Sequence, residues 1–116
     1  MVVNNLIAPT NGNGLQYGIF NTSTNNVNYL HNTISLDDLT ATTTLATRGF
    51  FQTGTAPAIL FYNNLISITR GGAGAKHCIY WATQLLTSNN NNFYINAAAG
   101  TNSIGYFTAD RTTLAA

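Results

Sequence analysis

The feature that most constrains this chain is a repeat. Two short patterns recur along its 116 residues with one shared period. The first is centred on asparagine. It reads Val2-Val3-Asn4-Asn5-Leu6-Ile7, Tyr29-Leu30-His31-Asn32-Thr33-Ile34, Phe61-Tyr62-Asn63-Asn64-Leu65-Ile66 and, more weakly, Asn89-Asn90-Asn91-Asn92-Phe93-Tyr94. Its key residues are Asn5, Asn32, Asn64 and Asn92, at steps of 27, 32 and 28. The second pattern is a small residue followed by two bulky ones: Gly18-Ile19-Phe20, Gly49-Phe50-Phe51, Cys78-Ile79-Tyr80 and Gly105-Tyr106-Phe107. Its steps are 31, 29 and 27.

A period near 30 also suits stacked helical repeats. The residue types argue against helices. Both patterns are rich in Ile, Val, Phe, Tyr and Thr, which favour strands. Val27, Tyr29, Asn32, Ile34 and Leu36 map onto Ile59, Phe61, Asn64, Ile66 and Ile68 at a constant offset of 32. That spacing follows a period of two rather than 3.6. Between the patterns lie Gly, Asn, Thr and Ser clusters such as Asn11-Gly12-Asn13-Gly14, which mark turns. Each repeat therefore reads as a coil of two or three short strands. One coil cannot bury its apolar residues alone, so coils must stack. The expected coils are approximately 1–26, 27–58, 59–86 and 87–116.

The asparagine column has a physical role in such a stack. Strands of successive coils lie about 4.8 Å apart. An Asn tolerates the left-handed geometry of a tight bend. Its amide can also bond the Asn amides above and below as a ladder. The expected rungs are Asn5, Asn32, Asn64 and Asn92.

At this point the run from Asn26 to Leu36, with Gly49-Phe50-Phe51 and Asn63-Asn64-Leu65-Ile66, resembles the right-handed parallel β-helix repeat family. It is similar in particular to the Asn-rich versions in large secreted surface proteins of Bacteroidota-type bacteria. The resemblance covers nearly the whole chain. It implies an all-β, single-stranded, right-handed parallel β-helix (β-solenoid) of about four coils. It is poor evidence for function, because that architecture hosts lyases, hydrolases, adhesins and tailspikes alike.

Composition narrows the function classes. Only 6% of residues are charged, against roughly 25% in ordinary globular proteins, and the net charge is +1. Arg48, Arg70, Lys76 and Arg111 are too scattered for the basic stripe that nucleic acid requires. No window has the roughly 18 apolar residues of a membrane span. No signal-peptide pattern opens the chain. A single cysteine, Cys78, excludes an internal disulfide framework.

Candidate chemistry is sparse. A carbohydrate-cleaving site needs clustered carboxylates, and the chain has only Asp37, Asp38 and Asp110. The offset of 32 sets Arg70 one coil above Asp38, so a cross-coil ion pair is expected. No Cys/His pair has zinc-ligand spacing. Cys78 shares the small column with Gly18, Gly49 and Gly105, which predicts a packing role. Gly71-Gly72-Ala73-Gly74-Ala75-Lys76 lacks the phosphate-loop pattern and reads as a flexible insertion between strands. Asn21-Thr22-Ser23 matches a glycosylation acceptor, a tripeptide common by chance in an Asn-rich chain. Phe20, Phe51, Tyr80 and Phe107 form a candidate aromatic stripe. With the Ile19 column facing the core, the stripe faces outward; with the faces reversed, it is core.

Three roles follow as expectations. The first is a non-catalytic structural or adhesive solenoid of an extracellular or cell-surface protein. Neither end shows an evident cap, so this role includes self-association end to end into a fibre, or flanking coils of a longer chain. The second is a carbohydrate-binding module using the aromatic stripe on a polysaccharide. The third, weaker, is a fragment of a polysaccharide lyase or glycoside hydrolase. No cofactor or metal is expected.

Overall fold

In the computed structural model the described residues are 1–8, 11–82 and 87–113. They contain strands and turns and no helix. Each coil supplies three strands. The first coil gives β1 (Val2–Val3), β2 (Leu6–Ile7) and β3 (Gln16–Asn21). The second gives β4 (Asn28–Leu30), β5 (Thr33–Leu36) and β6 (Thr47–Gln52). The third gives β7 (Leu60–Tyr62), β8 (Leu65–Ile68) and β9 (Lys76–Trp81). The fourth gives β10 (Thr87–Asn89), β11 (Asn92–Ile95) and β12 (Asn102–Phe107), followed by β13 (Ala109–Arg111). Equivalent strands pair in parallel into three sheets: β1-β4-β7-β10, β2-β5-β8-β11 and β3-β6-β9-β12. The chain is thus a parallel β-solenoid of about three turns.

Alternation along each short strand builds the core. Ile34, Leu36, Ile66 and Ile68 of the second sheet point inward and are buried. They meet Tyr29 and Phe61 of the first sheet and Phe50, Cys78 and Trp81 of the third. The second and third coils pair at the offset of 32, Tyr29 against Phe61 and Ile34 against Ile66. Burial of this kind stabilises by about 25 cal/mol per Å² of apolar surface removed from water.

The tight bend before the second sheet separates two jobs that the sequence reading gave to one residue. Asn4, His31, Asn63 and Asn90 take the left-handed conformation, with φ of 57, 55, 56 and 54°. The residue after each one points inward and carries the ladder. Asn5 donates its backbone N–H (3.1 Å) and its Nδ2–H (2.9 Å) to Oδ1 of Asn32. Asn32 does the same to Asn64 (both 2.9 Å), and Asn64 to Asn91 (2.8 and 3.0 Å). The remaining amide hydrogens bond strand-end carbonyls, such as Tyr29 O from Asn64 (2.9 Å).

The fourth rung is therefore Asn91, and the expectation of Asn92 is corrected. Asn92 opens β11 opposite Leu65. The reason is core packing: Phe93 must lie over Ile66, which sets the rung two residues earlier, as Asn64 lies two before Ile66. The third sheet shows the same one-residue slip. Gly105 pairs with Ile79 and Tyr106 with Tyr80, so Gly105 is not in the small column.

The end of the chain also differs from expectation. Thr108 takes φ of 60°, and β13 folds back antiparallel on β12. Gly105, Tyr106 and Phe107 pair with Arg111, Asp110 and Ala109. One of the three edges of the last coil is thereby covered.

Candidate functional site

Two buried cations define the corner between the second and third sheets. The Arg70 side chain is fully buried. Its guanidinium donates to Thr47 Oγ1 (2.8 Å), to Gly14 O (3.0 Å) and to Gly12 O. Asp38 accepts from the Gly12 N–H (2.9 Å), the Thr40 N–H (3.0 Å) and the Thr40 hydroxyl (2.7 Å). Among the described residues these two form no ion pair. The expected Asp38–Arg70 bridge is replaced by a shared loop: each charged group holds one end of the Gly12 peptide. The Thr40 hydroxyl first, and then the Gly12 N–H, hold the Asp38 carboxyl below the usual carboxylate range.

Lys76 is equally buried. Its ammonium donates to Gly72 O (2.6 Å), Gly74 O (2.9 Å) and Ala99 O (2.9 Å), which uses all three hydrogens. Burial pulls its pKa down, and the nearby Arg70 adds to that. The glycine-rich 71–74 segment is thus no loose insertion. It lies against the corner of the coil below, with the Gly71 N–H on Asp38 O (3.0 Å) and the Gly74 N–H on Thr43 O (3.2 Å). A Cβ on Gly74 would stand 2.0 Å from Leu45 O, so close stacking of the corners demands glycine there.

The outer face of the third sheet carries the aromatic column. Tyr17 and Phe20, three residues apart, share that face with ring centroids 5.4 Å apart. They can do so because the strand turns a corner between them. A Cβ on Gly18 would meet Ile34 of the core, and Phe50, one residue after the equivalent Gly49, packs on Tyr29, Phe61 and Trp81. Phe20 stacks on Phe51 (4.9 Å, 8°), Phe51 meets Tyr80 edge-on (5.3 Å, 82°), and Tyr80 stacks on Tyr106 (4.2 Å, 3°). The column is Phe20, Phe51, Tyr80 and Tyr106. Phe107, expected in it, pairs instead with Trp81 and packs against the core. Only Phe20, 50% exposed, is largely open; Phe51 is buried.

Arg48 lies across this column. Its guanidinium carbon sits 3.7 Å from the Tyr80 ring centroid, 4.1 Å from Phe51 and 5.6 Å from Tyr17. Cation–π contacts hold it there. Its Nε is buried without an acceptor, and among the described residues Arg48 makes no hydrogen bond or ion pair. Beside it, His77 Nε2 lies 2.7 Å from Asp110 Oδ1 on β13, which ties the hairpin to the sheet. Burial pulls the His77 pKa down, and the Asp110 hydrogen bond opposes that only in part.

The remaining candidates are structural. Cys78 is buried, its thiol pushed up to about 12 by burial, so it is a poor nucleophile. The Asn21 amide is buried and closed on itself, accepting the Thr24 N–H (3.0 Å) and donating to Thr24 O (3.1 Å). That geometry does not offer Asn21 as a glycan acceptor. Among the described residues no three His, Cys, Asp or Glu side chains converge on a metal site. Compared with protein-family models, with characterised proteins and with solved structures, the chain matches none.

Proposed function

We propose that this chain is a non-catalytic structural solenoid of an extracellular or cell-surface protein, which associates along its own axis. The observation that carries the reading is the ladder Asn5-Asn32-Asn64-Asn91, an internal polar column that any further coil in phase continues. Other polar groups support it by their work. Arg70 and Lys76 hold loop carbonyls, and Asp38 holds loop N–H groups, so each organises backbone rather than facing a substrate. The similarity of the repeat to Asn-rich surface solenoids of Bacteroidota type supports an extracellular setting. Among the described residues the outer edges of β1, β2 and β3 and of β10 and β11 have no strand partner, and such edges are templates for strand pairing. End-to-end contacts that do not close on themselves give open filaments. The hairpin strand β13 moderates this by covering the β12 edge.

The experiment is electron microscopy of the purified chain beside its light-scattering mass over a concentration series. The reading expects unbranched filaments or end-linked oligomers whose mass rises with concentration. A strict monomer throughout that range refutes it.

A polysaccharide platform made of the whole aromatic stripe is less well supported. A sugar needs an open ring face, and in this column most ring faces are occupied by one another or by Arg48.

A further inference from the structure

We propose that Arg48 and the rings around it form a binding site for a carboxylate carried on a sparsely charged acidic glycan. Arg48 lies on the side of the solenoid, whereas Phe20 and Tyr17 belong to β3, whose edge axial association also uses, so the site is titrated at a concentration where light scattering shows the monomer.

The argument starts from an unusual cation. Arg70 and Lys76 have hydrogen-bond acceptors; Arg48 has none among the described residues. The Tyr80 and Phe51 rings pack against its guanidinium and Nε is buried, yet Arg48 remains partly exposed. Among its side-chain nitrogens, only Nε is buried without a partner, so the Nη groups meet solvent. A guanidinium is weakly hydrated, and its planar fork matches a carboxylate with two parallel hydrogen bonds. Here contact with the Tyr80 and Phe51 rings already restrains the side chain. Little rotamer freedom is left for a ligand to quench, which favours binding by pre-organisation.

Two neighbours define what carries the carboxylate. Phe20 is half exposed at the end of the column, with Tyr17 beside it and against Phe51. They form a small apolar shelf next to the cation, suited to the C–H face of a sugar ring. The charge balance then limits the ligand. Among the described residues Arg48 is the one cation in the column, and Asp110, half exposed and held by His77, places a carboxylate on the same face. Burial favours the neutral form of His77. A densely charged polyanion meets one cation and one repelling carboxylate. A chain in which single uronate residues alternate with neutral sugars meets only the cation and the shelf.

The test is nuclear magnetic resonance titration of the isotope-labelled chain, following the Arg48 Nε–H signal and the Tyr17 and Phe20 ring signals. The probes are methyl β-D-glucuronide, methyl β-D-glucoside, a hyaluronan tetrasaccharide, oligogalacturonate and the peptide Gly-Glu-Gly. The proposal expects saturable shifts with the glucuronide and the tetrasaccharide, and at least about tenfold weaker binding of the glucoside, the loss that charge-assisted hydrogen bonds carry. Arg48→Met should lower affinity for the acidic sugars by a similar factor, and Arg48→Lys should not restore it. Phe20→Ala should weaken the glucuronide without affecting Gly-Glu-Gly. A matching spectrum in the rest of the core shows that each variant is folded. An unmoved Arg48 signal overturns the proposal, as does equal binding by folded Arg48→Met. Equal binding of Gly-Glu-Gly overturns the glycan class. Tighter binding of oligogalacturonate than of the tetrasaccharide overturns the sparse-charge argument.

Discussion

Removing one interior rung of the asparagine ladder should be far more damaging than removing the outermost one. Asn64 is 1% exposed, and its Oδ1 is the shared acceptor for the backbone N–H and Nδ2–H of Asn32, both at 2.9 Å. Asn64→Ala leaves those two donors buried without an acceptor. At about 1–3 kcal/mol for each, the cost is about 2–6 kcal/mol. The carbonyl of Tyr29 also loses its side-chain donor, whereas Tyr62 O retains the His31 N–H. We expect a loss of about 4 kcal/mol, a large part of the roughly 5–15 kcal/mol that holds a domain of ordinary stability. Asn5→Ala is the control. Asn5 is exposed, its Oδ1 accepts nothing among the described residues, and its backbone N–H still reaches Asn32. Its loss should cost about 1 kcal/mol or less. The assay is urea unfolding followed by fluorescence of Trp81, the single tryptophan, which is buried and stacked on Phe50. Far-ultraviolet circular dichroism must give the same midpoints for a two-state treatment to hold. If Asn64→Ala loses less than about 1 kcal/mol, or Asn5→Ala loses as much, the ladder is not the stabilising column described here.

Four further outcomes are expected. Gly49→Ala puts a Cβ 2.5 Å from Ile66 Cγ2 and 2.7 Å from Cys78 O, and should destabilise by about 1–3 kcal/mol. Gly105→Ala, whose nearest neighbour is 3.7 Å away, should stay within about 0.5 kcal/mol in the same urea titration. Lys76→Met strips the donor from three carbonyls and should cost about 2–4 kcal/mol, with thermal melting showing whether the corner tolerates it. The His77 pKa is lowered in the folded chain, chiefly by burial, so the unfolded chain takes up its proton first. Stability should therefore fall as pH drops below about 6.5, the unfolded value, until the folded value is reached. His77→Gln should flatten that part of a stability-versus-pH curve, and an unchanged slope refutes the assignment.

The sequence was most legible where apolar residues recur in phase. The constant offset from Val27 to Leu36 and from Ile59 to Ile68 matches the observed pairing of the second and third coils. In the fourth coil that signal fades. Residues 89–92 are all asparagine, so matching by residue identity cannot choose between neighbours, and the register slipped by one. Phe93, two residues after the true rung, was the available cue, because Ile7, Ile34 and Ile66 stand in the same relation to their own rungs. A Gly at position 105 likewise imitated the small column while occupying that of Ile79. The buried cations were not legible, since the direction of loop carbonyls depends on how neighbouring corners stack. Arg48 was hidden for a similar reason: the rings around it come from three different coils.

The ladder also has a direction. Each asparagine donates toward the later coil and accepts from the earlier one, so the amide dipoles add along the axis instead of cancelling. Among the described residues, the first rung retains an idle oxygen on Asn5 and the last an idle backbone N–H on Asn91. A neighbouring coil can extend the column only in the same sense, donor to acceptor. Opposed copies meet oxygen to oxygen or hydrogen to hydrogen. Any assembly built through this column is therefore vectorial, with two chemically different tips and two different rates of growth.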